Sequence, residues 1–144
     1  MKRYILAFAV MVGLSLAVQA QKGPYLKFEK LVHDFGELLQ DDKAVYEFKF
    51  TNTGDAPLII SLARSSCGCT VPSWQSQSIL HGESSTIKVK YDSHRIGPIN
   101  KQVVVESNSS TGTVYLKITG KISKRPSEVM PIQNFDDSGT PFAQ

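Results

Sequence analysis

Cysteine is nearly absent from this chain. Cys67 and Cys69 are the only two in 144 residues, far too few for the bridged scaffold of a small secreted domain. The fold must be held by an apolar core, which a domain of about 100 residues can supply. Long apolar runs are scarce as well. The one such run, Ile5 to Val18, covers about 14 residues, short of the roughly 20 that a spanning helix needs. Charge of one sign is also missing. Lys and Arg number 16 against 13 Asp and Glu, and this near balance argues against nucleic acid as a main partner. No stretch after residue 20 repeats its apolar residues at the helical period of 3.6.

The first 20 residues read as a secretory signal. Met1-Lys2-Arg3-Tyr4 is a positive start, Ile5 to Val18 an apolar centre, and Val18-Gln19-Ala20 supplies small residues at cleavage spacing. Cleavage is expected after Ala20. The exported protein then keeps 14 basic against 13 acidic residues, because Lys2 and Arg3 leave with the signal. The expected location is the periplasm or the cell surface, with membrane contact only through a partner.

Periodicity of two dominates what remains. Tyr46, Phe48 and Phe50 face one way while Glu47, Lys49 and Thr51 face the other, the pattern of a half-buried strand. Ile87, Val89 and Tyr91 repeat it, as do Val114, Leu116 and Ile118. Further strands are expected from Leu26 to Val32, from Leu58 to Ala63 and around Val103-Val104-Val105. Asp34-Phe35-Gly36, Asn52-Thr53-Gly54-Asp55, His81-Gly82-Glu83 and Gly97-Pro98 read as turns or connections. Ser65 to Gly82 reads as the longest irregular segment. About seven short strands at this spacing predict an all-β, immunoglobulin-like sandwich over residues 21–122. Residues 123–144, rich in Pro, Ser, Asp and Gly, predict a disordered tail.

Chemistry is concentrated at Ser66-Cys67-Gly68-Cys69-Thr70. Three readings stand side by side. Gly68 can bend the backbone enough for the thiols to close a small disulfide ring, and small, strained bridges are the exchangeable kind. Alternatively, two soft thiolates suit Cu(I) or Zn(II), with His33, His81 or His94 as further ligands. In the third reading the cysteines shape a turn, one of them buried as a small hydrophobe. Trp74, in the same segment, either anchors a partner or caps the core. Together with Ser66, Thr70 and Pro72 it marks a candidate interaction loop.

No enzymatic constellation accompanies these residues. Gly-x-Ser-x-Gly is absent, and Asp34-Phe35-Gly36 lacks the phosphate loop and catalytic loop that would make it a kinase magnesium motif. Asn108-Ser109-Ser110 reads as a polar hairpin tip.

The motifs run in a distinctive order: His33-Asp34-Phe35-Gly36, Phe48 to Gly54, Pro57-Leu58, Ser66 to Pro72, Tyr91-Asp92-Ser93, Gly97, Asn100-Lys101, Ser107-Asn108 and Gly120. Over roughly residues 28–122 this resembles the bacterial family designated domain of unknown function 1573, exported sandwiches in the style of ASH and major-sperm-protein domains. Gln77 to Gly82 departs from it, with His81-Gly82 where a Pro-Gly turn is usual. The resemblance implies fold and export, and neither a cofactor nor a catalytic residue. The expectation is a non-enzymatic envelope module that meets a protein partner by strand addition or loop contact. The competing expectation is a thiol-based redox partner or metal-binding protein acting through Cys67 and Cys69.

Overall fold

The computed structural model describes residues 23–126. The expected signal, and residues 127–144 of the expected tail, lie outside them. Eight strands follow in order: β1 Leu26–Phe28, β2 Val32–Leu39, β3 Val45–Asn52, β4 Ile60–Ser65, β5 Thr70–Ser73, β6 Ser84–Tyr91, β7 Gly97–Ser107 and β8 Val114–Ser123. They form two four-stranded sheets, ordered β1-β3-β6-β5 and β2-β8-β7-β4. All pairs are antiparallel except β2 with β8.

Alternation puts the core where the sequence places it. Phe48, Phe50, Ile87, Val89, Leu116 and Ile118 are buried between the sheets. Each such side chain contributes roughly 1.5–3 kcal/mol. Lys49, Lys88 and Lys117 stand on the outer faces.

Three expectations are corrected. The first expected strand, Leu26 to Val32, is two strands in different sheets. The chain leaves the first sheet after Phe28 and joins the second at Val32. Secondly, Asp34-Phe35-Gly36 lies inside β2 instead of ending a strand. It forms a bulge, with the pairing to β8 shifting between Asp34 and Glu37 and Gly36 at φ 65°. A bulge uses turn-forming residues without ending the strand. Thirdly, the irregular segment Ser65 to Gly82 contains β5, and Gly97-Pro98 opens β7 instead of lying in a loop. Pro72 and Pro98 masked both, because proline demotes a strand reading although edge and first positions accept it.

The loops collect at two ends. At one end, Asn52 ties the chain together. Its Nδ2 donates to the carbonyls of Ala56 (2.8 Å) and Ile79 (2.9 Å). Its Oδ1 accepts from the N–H groups of Tyr25 (3.2 Å) and Gly54 (3.0 Å). Gly54 is required here, since a Cβ would stand 2.1 Å from the Gly23 carbonyl oxygen. At the other end lie the β2–β3 loop, the cysteine turn and the β6–β7 loop.

Candidate functional site

The cysteine turn carries the chain from β4 in one sheet to β5 in the other. Four residues suffice: Thr70 N–H donates to the Cys67 carbonyl at 3.3 Å, closing a turn around Gly68-Cys69. Within it Cys67 and Cys69 are bonded as a disulfide, their Cα atoms 5.4 Å apart, inside the ordinary span of such bridges. Gly68 sits in the bend of this turn without a positive φ. Its contribution is open space: apart from the adjoining cysteines, no residue comes within 4 Å of where a Cβ would stand.

The two sulfurs have different surroundings. Cys69 is buried at 5% exposure and belongs to the core, whereas Cys67 is half-buried beside it. The hydroxyl of buried Thr70 lies 3.9 Å from Cys67 Sγ and 4.0 Å from Cys69 Sγ.

Neighbouring loops are laced to this turn by the backbone. Asp92 N–H donates to the Cys69 carbonyl at 2.8 Å, Tyr91 N–H to the Ala44 carbonyl at 2.9 Å, and Asp41 N–H to the Ser93 carbonyl at 3.3 Å. Asp41 has φ 72°, a left-handed position that aspartate accepts more readily than most residues. Between these loops opens a cleft of about 560 Å³, with Gly68, Cys69 and Val71 on one side and Asp41 to Lys43 and Asp92 to His94 on the others. Its outer-face row follows from strand register. Val45 pairs with Lys90, and Lys90 with Val71, so two apolar side chains flank one lysine. Val71 is 57% exposed.

Charge around the cleft is unevenly matched. Asp41 pairs with His94, Asp42 with Arg125 at 2.6 Å, and Asp92 with Arg95 at 3.3 Å. The Asp42 carboxyl is held below the usual aspartate range, first by the Leu39 N–H it accepts and then, against some desolvation, by Arg125. Among the described residues no carboxylate forms an ion pair with Lys43 or Lys90.

The remaining residues singled out from sequence are dispersed. His33 stacks on Tyr46, ring centroids 3.6 Å apart. His81 Nδ1 meets the Gly54 carbonyl at 2.6 Å, at the Asn52 end. Of the three histidines only His94 lines the cleft. No group of three His, Cys, Asp or Glu side chains placed to hold a metal ion is found among the described residues. Trp74 is half-buried against the core and donates its Nε1–H to the Ile60 carbonyl at 3.2 Å, covering that point of the β4 edge. Ser66 is exposed, on the rim of a smaller cavity with Asn100, Gln102 and Lys117. The segment from Ser66 to Gly82 is therefore not one loop. It begins at the cysteine end and finishes at the Asn52 end, where Ile79 pairs with Leu58.

Sequence reasoning missed Lys43, Lys90 and Asp92 as neighbours of the cysteines. Lys90 sits two residues from Lys88 in a regular strand, and nothing local separates the two. Their cross-strand partners do.

Two sheets of four strands with a first strand divided between them define an immunoglobulin-like sandwich. The chain belongs to the family described as Protein of unknown function (DUF1573), whose model matches residues 26–122. Among solved structures it is similar to a protein of unknown function from Porphyromonas gingivalis, with TM-score 0.62 and 14% identity, over 73% of this chain and 50% of that one. It is also similar to the ASH / PapD-like domain 7 of human CEP192, with TM-score 0.57 and 10% identity, over 70% of this chain and 87% of that one. The secreted serine protease VesC from Vibrio cholerae matches with TM-score 0.53 and 16% identity, over 72% of this chain and 24% of that one. These likenesses show the fold alone. The chain spans half of the Porphyromonas gingivalis protein and a quarter of VesC. No curated protein matches it.

Proposed function

We propose that this protein is an exported, non-enzymatic binding module of the cell envelope that receives a segment of another protein at its cysteine end. The observation that carries this reading is the cleft of about 560 Å³ in which Val45 and Val71 flank Lys90. An apolar side chain of the partner would rest on the valines, and an acidic one would meet Lys90 or Lys43. The cysteine turn and the adjoining loops give the surface its shape.

The sheet edges support loop contact over strand addition on this side. β5 is four residues long and contains Pro72, which has no N–H to offer a ladder. Trp74 occupies the Ile60 carbonyl on β4. The longer edge strand β2 lies on the opposite side of the sandwich from β4 and β5, so strand addition there and contact at the cysteine turn are separate surfaces.

The test is capture from envelope extracts with the full chain as bait. Val71→Asp with Lys90→Glu should weaken recovery of the partner by about tenfold or more, the scale of a binding hot spot. Tyr115→Asp, on the outer face of the other sheet, should leave it unchanged. Equal recovery with both variants, or loss with Tyr115→Asp alone, contradicts the reading.

A further inference from the structure

The bridge between Cys67 and Cys69 has one open side and one closed side. Cys67 is half-buried, Gly68 leaves empty space above the turn, and Cys69 is buried with its residue facing the cleft. Thr70 places a hydroxyl beside both sulfurs. Lys43 and Lys90 line the cleft on the Cys69 side and have no carboxylate partner among the described residues. We propose that Cys67–Cys69 is a thiol–disulfide exchange site, entered at Cys67 with Cys69 as the leaving sulfur, whose substrate is a pair of thiols in a protein or peptide. This goes beyond the binding reading and holds whichever segment rests in the cleft.

The step follows from the asymmetry. Exchange proceeds by attack of a thiolate on one sulfur, with the other leaving along the same line. The incoming thiolate bonds to Cys67 Sγ as the Cys67–Cys69 bond breaks, and the electron pair leaves on Cys69 Sγ. The Thr70 hydroxyl donates to that developing thiolate, and the lysines supply positive potential, both of which stabilise the leaving form. The substrate's second thiolate then attacks its own sulfur in the mixed disulfide, and the electron pair leaves on Cys67 Sγ. The substrate's two thiols are oxidised to a disulfide, Cys67 and Cys69 are reduced to thiols, and the two protons released by the substrate end on them. One domain turns over once per pair of thiols.

Reduction need not unfold the sandwich. The bridge spans a separation of two residues, so opening it frees little of the unfolded chain, and the core packs from both sheets without it.

The experiment exposes the oxidised full chain to reduced glutathione, quenches with acid and maps modified peptides by mass spectrometry. Circular dichroism melts run in parallel. The expected result is glutathione on Cys67 with a free thiol on Cys69, in protein that still melts cooperatively. Dithiothreitol should reduce both sulfurs in the folded state. Thr70→Val should slow the exchange by about threefold, the effect of a less stabilised leaving thiolate, and Thr70→Ser should restore it. Should Thr70→Val fail to fold, Gly68→Val reads the same site, because its Cβ would stand between the two cysteines with no other residue within 4 Å. It should melt as the parent does and shield Cys67 from attack. Glutathione found on Cys69, or reduction only under conditions that unfold the domain, overturns the proposal. So does a Gly68→Val rate equal to the parent's.

Discussion

Asn52 and Cys69 are both buried, and their surroundings give them opposite roles. Asn52, fully buried, makes four side-chain hydrogen bonds inside the fold. Asn52→Ala strands the Ala56 carbonyl and two N–H groups, the Ile79 carbonyl keeping its bond from Leu58 N–H, and should cost about 3 kcal/mol, read as a lower denaturation midpoint. Phe48→Ala opens a cavity between the sheets and should cost about 3–5 kcal/mol in the same assay. His33 supplies a third residue-scale expectation. Burial lowers its pKa from the ordinary value of 6.5, Asp34 partly opposing and Lys30 adding slightly. The unfolded chain therefore binds more protons than the folded one as pH falls below 6.5. The stabilisation is complete above 6.5 and is lost as pH drops toward the lower folded value. Thermal melts between pH 7.5 and 5.5 should show a falling midpoint, and His33→Phe, which keeps a ring against Tyr46, should flatten that slope. An unchanged slope would contradict the assignment.

At the scale of elements, β2 is held in place by its bulge. Gly120 in β8 has φ 147°, and a Cβ there would stand 2.9 Å from the Gly36 carbonyl oxygen. Gly120→Ala should cost about 1–3 kcal/mol and raise hydrogen exchange in Val32–Leu39 ahead of the other strands. Glu37 fastens the end of β2 by accepting from Ser123 Oγ at 2.6 Å. Its pKa is lowered, first by Ser123 and then by Lys121, so this tie is present above the unfolded value of 4.5 and weakens in acid. Strands with strict alternation were legible in the sequence, as β3 and β6 show. Elements that violate a local rule were not. β5 carries Pro72, and the bulge in β2 uses the same residues as a turn. Asn52 was legible in part: it continues the inward parity of Tyr46, Phe48 and Phe50, which is the signal for a buried polar hub, yet its side chain also suits a turn. The cleft was invisible, because Lys43, Lys90 and Asp92 become neighbours of Cys69 only through pairing between distant strands.

Across the whole molecule the two ends differ in kind. The Asn52 end is closed by a buried polar hub and by Gly54, which tolerates no side chain. The cysteine end is laced around a cleft by backbone hydrogen bonds and exposed ion pairs, with a disulfide on its rim and lysines that lack carboxylate partners among the described residues. A sandwich of this kind can carry many functions, so its function is argued from that end and not from the fold. A photoactivatable residue installed separately at Val71 and at Leu80, both exposed and at opposite ends of the same segment, tests this in the intact envelope. Irradiation should join Val71 to one reproducible neighbouring protein and leave Leu80 without it. The same neighbour at Leu80, or no neighbour at Val71, would contradict the assignment of function to the cysteine end.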